Sequence, residues 1–196
     1  MSWQAELSSW QSPSHLNIKD VPNVGSQAPS SSKLIVPAPD GKPTILCFLR
    51  HCGCPFAEKT YLKLRAAAIA HRDVHFVAVS HSDAPSTKRW LQSLPDPSQN
   101  TSVDMIIDEE RLLYASWGLG VSPFWHVLSP SSLYSVYKLG REENIWNRPT
   151  ESGSRWQSAG SFAIGGAGDV KWSRPNASAD DVPDFADALK ALGEKS

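Results

Sequence analysis

The chain has 196 residues, of which 40% are hydrophobic, and carries 19 Lys and Arg against 20 Asp and Glu. A length of this order suits one globular domain with a tail or insertion, and it buries a core without needing staples. The balanced charge, with a pI near 6.6, gives no net field to attract nucleic acid or an anionic membrane, so neither is an expected partner. No stretch approaches the roughly 20 apolar residues of a membrane span. Met1 to Trp10 lacks the basic and apolar parts of a secretory leader, so a cytoplasmic location is expected. Three cysteines are too few for a disulfide framework, and two of them sit in His51-Cys52-Gly53-Cys54. That concentration directs attention to redox chemistry or metal binding.

Residues 1–33 read as an N-terminal arm, polar and interrupted by Pro13, Pro22 and Pro29. Within it Trp3, Leu7 and Trp10 recur at i, i+4 and i+7, the spacing of a short amphipathic helix that docks on the domain or on a second subunit. The domain proper is expected over 34–196. Leu34 to Val36 reads as a short strand, and Asp40-Gly41 as a turn. The run TILCFLR at 44–50 is nearly continuous in apolar residues, as in a strand covered on both faces. Pro55 then opens a helix over AEKTYLKLRAAAIA, with Phe56, Leu62 and Ile69 expected on its buried face. VHFVAVS at 74–80 reads as the next strand, and strand, helix, strand implies a right-handed parallel crossover.

The same grammar repeats. Residues 83–94 read as a helix capped by Ser82 or Asp83, VDMIID at 103–108 as a third core strand, and 109–118 as a short helix stopped by Gly118. Residues 121–158 break the rhythm. They are aromatic-rich and loop-like, and are read as an insertion that forms a lid. SFAIGGAGDVKW at 161–172 reads as two strands about a Gly-rich turn. ADDVPDFADALKAL at 179–192 then gives a final helix, with Asp near its start and Lys near its end.

The unit with chemical content is the strand ending at Arg50, the His51-Cys52-Gly53-Cys54 turn, and Pro55 opening a helix. A cysteine at such a junction faces unpaired helix N–H groups and the positive end of the helix dipole, which favour thiolate over thiol. Cys54 is therefore the candidate nucleophile. Arg50 and a protonated His51 would favour its thiolate further, or His51 would act as a base. Cys52 is placed to attack an oxidised Cys54 and close a disulfide, with Gly53 supplying backbone freedom. Cys47, inside the apolar strand, reads as packing. His51, Cys52 and Cys54 also form a partial ligand set for zinc or copper, but no second pair completes four ligands, so no metal is expected. There is no GxSxG elbow, no P-loop, and no GxGxxG after a strand, and no cofactor is expected.

The segment Val24-Gly25-Ser26-Gln27-Ala28-Pro29, the strand ILCFLR, and Gly53-Cys54-Pro55-Phe56 resemble the entry loop, first core strand and peroxidatic cysteine segment of peroxiredoxins. More closely, RHCGCPFAEKT resembles the peroxiredoxin-like proteins of the alkyl hydroperoxide reductase/thiol-specific antioxidant group. The likeness runs over roughly residues 24–193, with 121–158 matching worst. It implies an α/β, thioredoxin-like fold: a central mixed sheet flanked by helices, with an aromatic-rich insertion. It also places Cys54 on the peroxidatic cysteine and implies a peroxide or organic substrate, an external thiol reductant, and dimerisation, for which the Trp-bearing arm offers a contact. The departures are specific. His51 stands where the family has threonine, only Lys171 lies near the place expected for the supporting arginine, Cys52 has no counterpart, and no cysteine follows Cys54. Phe56, Trp117, Phe124, Trp125, Trp146 and Trp156 are expected to line an apolar cleft suited to an organic substrate.

Three readings follow. In the first, Cys54 attacks an oxidised substrate in a thiol-dependent oxidoreductase, and Cys52 or an external thiol resolves the intermediate. In the second, Cys54 and His51 act on an aromatic or lipid-like metabolite without net thiol redox. In the third, the chain is a non-catalytic binding or metal-handling module.

Overall fold

A computed structural model describes residues 3–123 and 129–194 of the chain. Its elements, in order, are α1 (Trp3–Ser8), β1 (Thr44–Phe48), α2 (Pro55–Ala70), β2 (His75–Ser80), α3 (Ala84–Ser93), β3 (Asp104–Ile107) and α4 (Leu112–Ser116). These are followed by α5 (Pro130–Glu143), β4 (Gly160–Ile164), β5 (Val170–Pro175) and α6 (Phe185–Ala191). The strands form one mixed sheet in the order β3-β2-β1-β4-β5. β1 pairs in parallel with β2 and antiparallel with β4, which puts it at the centre.

That central position explains the unbroken apolar run, because both faces of β1 are covered. Ile45 and Cys47 point into a layer built from Tyr61, Leu64 and Ala68 of α2, Trp90 of α3, and Phe185, Ala188 and Leu189 of α6. Leu46 and Phe48 point to the other side, against Leu113, Tyr114 and Trp117 around α4 and Phe162 of β4. Phe48 meets Tyr114 edge-on at a centroid separation of 4.9 Å. The strand-helix-strand crossover, the Asp83 cap of α3 and the β4–β5 hairpin all form where the sequence placed them. Asp83 caps α3 by accepting from the Ser86 amide at 2.7 Å.

Three local expectations fail, each for a visible reason. Residues 34–36 are not a strand: Leu34 and Val36 are buried while Ile35 is exposed. The hydroxyls of Ser31 and Ser30 accept from the Leu34 and Val36 amides, so local side chains occupy the donors that a sheet ladder would use. Ile69 is exposed, because the buried face of α2 runs through Ala57, Tyr61, Leu64 and Ala68, and position 69 falls one step off that stripe. The 121–158 stretch is not loop-like throughout. It contains α5, a 14-residue helix whose N-cap Ser129 accepts from the Ser132 amide at 3.1 Å. Gly140 interrupts the helical signal of α5 for a packing reason: a Cβ there would lie 2.4 Å from the Trp146 ring, which rests on it.

The N-terminal arm folds back on its own chain. Glu6 of α1 accepts from the Thr150 amide at 2.8 Å and pairs with Arg155. Arg155 lies over the Trp10 ring, 4.7 Å from its centroid, and the Trp156 indole donates to the Trp10 carbonyl at 2.9 Å. Among the described residues no helix is long and apolar enough to cross a membrane.

Candidate active site

The candidate site sits at the C-terminal edge of the parallel strands, where β1 gives way to α2. The Leu49 amide still donates to Val79 at 2.9 Å, and the chain then leaves the sheet through Arg50. The Cys54 amide donates to the His51 carbonyl at 3.1 Å and closes the His51-Cys52-Gly53-Cys54 turn. Gly53 adopts φ +152°, and a Cβ there would sit 3.0 and 3.1 Å from the Arg148 and Pro149 carbonyl oxygens. Glycine is required by that approach as much as by the dihedral. Cys54 is the N-cap of α2, with Pro55 beginning the helix and no side-chain capping bond in place. Its sulfur thus lies at the positive end of a 16-residue helix, with no hydrogen-bond partner among the described residues.

The turn separates the two cysteines. Cys54 packs with Phe56, Ala57, Leu139 and Ile145 beneath α5. Cys52 belongs to the main core on the other side, where its sulfur lies 3.6 Å from the hydroxyls of Ser80 and Thr87. Burial pushes the Cys52 thiol up, opposed by the hydroxyls of Ser80, Thr87 and Ser82. Cys47 is raised to about 12 by burial, with Ser161 donating to its sulfur at 3.3 Å. It is a packing residue, as its place in the strand indicated.

Arg50, His51, Cys52 and Cys54 are all buried, and the cations among them are poorly balanced. Arg50 donates through Nη2 to the Arg155 carbonyl at 2.8 Å, but its Nε and Nη1 have no hydrogen-bond partner among the described residues. Burial holds His51 well below the usual histidine range, and the charges of Arg50, Arg155 and His81 add to the effect. His81 falls to about 4, chiefly through burial. Its Nε2 lies 3.1 Å from the Ser154 carbonyl, which makes that nitrogen the donor. Both rings are neutral at pH 7, so His51 does not supply a permanent charge to the site. The permanent charge is that of Arg50. A guanidinium with two unpaired nitrogens in a buried setting is a prepared partner for an oxyanion or a polarised oxygen.

A strap from the inserted region covers this turn. The Arg148 amide donates to the Gly53 carbonyl at 2.9 Å, and the Thr150 hydroxyl lies 3.3 Å from His51 Nδ1. The Arg148 side chain forms a forked pair with Glu58 of α2 at 2.8 and 3.0 Å, and the Glu58 carboxylate is only 5% exposed. One cleft opens beside the strap and another between α2 and α5. One, of about 320 Å³, is lined by Cys52, Trp90, Arg89, Arg148 and Glu151. The other, of about 350 Å³, has Phe56, Leu139 and Val182 in its wall, with Lys59, Lys63 and Lys138 among its polar lining.

The structure gathers Arg50, His51, Cys52, Cys54 and Phe56, but it does not assemble the expected aromatic cleft. Trp117 is core, 4.7 Å centroid to centroid from Phe162. Trp146 covers Gly140, and Trp156 packs edge-on to Trp10 of the arm. Phe124 and Trp125 lie outside the described residues. Lys171 is at the opposite end of the sheet, where Ile164 and Thr44 pair, and it salt-bridges Asp169 at 2.6 Å. It does not take the place of a supporting arginine at the turn. Sequence reasoning missed Glu58, Arg148, Thr150, His81 and the Ser80/Ser82/Thr87 hydroxyls. The Ser80-His81-Ser82 run directly after β2 was the available signal, since strand C-termini of parallel sheets collect functional side chains.

No family model matches the chain, and no curated protein matches its sequence. Solved structures do. A peroxiredoxin-like protein from Aquifex aeolicus aligns over 90% of this chain and 89% of its own, with a TM-score of 0.57 at 14% identity. The chain has a peroxiredoxin-like thioredoxin fold. Thiol peroxidase from Chromobacterium violaceum aligns over 90% of this chain and 89% of its own, with a TM-score of 0.53 at 16% identity. Mycobacterium tuberculosis AhpC aligns over 88% and 92%, with a TM-score of 0.53 at 15% identity. Identities this low speak to architecture, and the chemistry has to be argued from the residues.

Proposed function

We propose that the protein is a thiol-dependent oxidoreductase of the peroxidase kind, with Cys54 as the attacking sulfur. The observation that carries this is the junction itself: the Cys54 thiol at the N-cap of α2, across the turn from Arg50, whose buried guanidinium has two unpaired nitrogens. A thiol peroxidase among the similar folds supports the reading. The Cys54 thiolate attacks one oxygen of a hydroperoxide, the O–O bond breaks, and the departing alkoxide takes a proton. Sulfur is oxidised to sulfenic acid and the peroxide is reduced to an alcohol. A second thiol, Cys52 or an external one, then attacks the sulfenic sulfur. Water leaves and a disulfide forms.

Arg50 is the group offered to the developing oxyanion, in place of the Lys171 suggested by resemblance. The apolar surroundings of Cys54 (Phe56, Leu139 and Ile145) favour an organic hydroperoxide over hydrogen peroxide. A reducing compartment such as the cytoplasm suits three free cysteines. The test is hydroperoxide consumption with dithiothreitol as reductant. Cys54→Ser should abolish turnover, and Arg50→Met should lower it on the order of a hundredfold, the size of losing one oxyanion donor. Wild-type turnover in Cys54→Ser would overturn the proposal.

A further inference from the structure

The two cysteines of the turn face different surroundings, and Cys52 lines a cleft. That cleft has the size for a small molecule and the wrong shape for a flat protein surface. Its lining is unusual in chemistry: one thiol, the hydroxyl-bearing Ser86 and Ser93, the indole of Trp90, and two arginines, Arg89 and Arg148, with Glu151 as the acid among them. Arg89 is held by Glu151 across a solvent-exposed pair, with 58% and 44% side-chain exposure. A pair this exposed is worth little and readily exchanges one carboxylate for another. Arg148 is engaged by buried Glu58 and by the Ser93 hydroxyl at 2.9 Å, and so forms a fixed wall.

Resting on the thiol-oxidoreductase reading above, we propose that this cleft is the docking site for a small carboxylate-bearing thiol, which enters the cycle at Cys52. After Cys54 has been oxidised and Cys52 has closed a disulfide with it, the bound thiolate attacks the Cys52 sulfur. The Cys52–Cys54 bond breaks, and Cys54 leaves as a thiolate at the N-terminus of α2, where the helix dipole receives the charge. A mixed disulfide remains on Cys52. A second molecule of the thiol attacks its outer sulfur, releasing the symmetrical disulfide and Cys52, which takes a proton. The sum is one protein disulfide plus two thiols giving two protein thiols and one small disulfide. The geometry favours Cys52 as the point of attack because the incoming sulfur must approach opposite the leaving one. The cleft lies on the Cys52 side of the turn, while Cys54 is covered by Leu139 and Ile145.

The last step run in reverse tests the site without any peroxide chemistry. Reduced full-length protein is mixed separately with glutathione disulfide, which is anionic, hydroxyethyl disulfide, which is neutral, and cystamine, which is cationic. The rate and site of mixed-disulfide formation are followed by intact mass and peptide mapping. The adduct should form on Cys52, be trapped in Cys54→Ser, which cannot pass it on as the Cys52–Cys54 disulfide, and be absent in Cys52→Ser. The anionic probe should react on the order of tenfold faster than the neutral one, the worth of one charge-assisted hydrogen bond, and the cationic probe should be slowest. Arg89→Gln should remove that preference, with the neutral probe reporting any general change in the fold. An adduct on Cys54, equal rates for all three probes, or a preference unchanged in Arg89→Gln would each overturn the proposal. Failure of hydroperoxide to oxidise Cys54 would instead overturn the reading beneath it.

Discussion

Acidification from pH 7 to pH 5 should destabilise this protein through two histidines. His81 titrates near pH 4 in the folded chain, against an ordinary value of 6.5. Its folded value is depressed, so between those two values the unfolded chain binds a proton that the folded chain refuses. Stability therefore falls as the pH drops below 6.5, until the folded ring can itself be protonated. At pH 5 this amounts to about 2 kcal/mol, and at pH 7 to about 0.2 kcal/mol, for His81 alone. His51 is also held well below its usual range by burial and by Arg50, Arg155 and His81. Its contribution has the same sign, so the two rings act in the same direction over these pH units. The lowered carboxylates Asp83 and Asp180 begin to contribute only on the acid side of this window. Urea denaturation followed by tryptophan fluorescence at both pH values measures the difference. His81→Gln, which retains a donor for the Ser154 carbonyl, should remove about 2 kcal/mol of it. A stability that changes by less than about 0.5 kcal/mol between pH 7 and pH 5, or a full pH dependence surviving in a His51→Gln, His81→Gln double variant, would refute the account.

The strap and the turn give further predictions. Arg148→Ala removes both bonds to the nearly inaccessible Glu58 carboxylate and should cost about 2 to 4 kcal/mol in urea denaturation, because a buried charge is left unpaired. In the same variant Cys54 should be alkylated faster by iodoacetamide, since the cover over the turn loosens. Gly53→Ala places a methyl group against the Arg148 and Pro149 carbonyls at a φ that side chains rarely adopt. A loss of about 1 to 3 kcal/mol is expected, and a thermal midpoint equal to wild type would show that the turn yields easily.

The legible part of the sequence is local. The apolar run at 44–50, the Pro55 helix start and the spacing of VHFVAVS are signals carried within a dozen residues, and they place Cys54 at the head of α2 as observed. Signals that depend on which way a side chain turns, or on a distant partner, were misread. Leu34 to Val36 has the composition of a strand, yet its amides are taken by Ser30 and Ser31. The α5 helix hides behind Gly140, whose absent side chain serves Trp146. The tryptophans suggested one cleft because composition gives no direction. Trp117, Trp146 and Trp156 instead serve the core, a helix surface and the arm. The role of Glu58 is invisible in sequence for the same reason: its partner Arg148 is ninety residues away.

The central claim is that Cys54 is the reacting sulfur. Its most direct test is intact mass after brief exposure of reduced protein to cumene hydroperoxide, with and without dimedone, on wild type, Cys52→Ser and Cys54→Ser. The account predicts one trapped sulfenic acid in Cys52→Ser, none in Cys54→Ser, and faster oxidation by cumene hydroperoxide than by hydrogen peroxide. A folded protein whose Cys54 stays reduced while Cys52 or Cys47 is oxidised would contradict it.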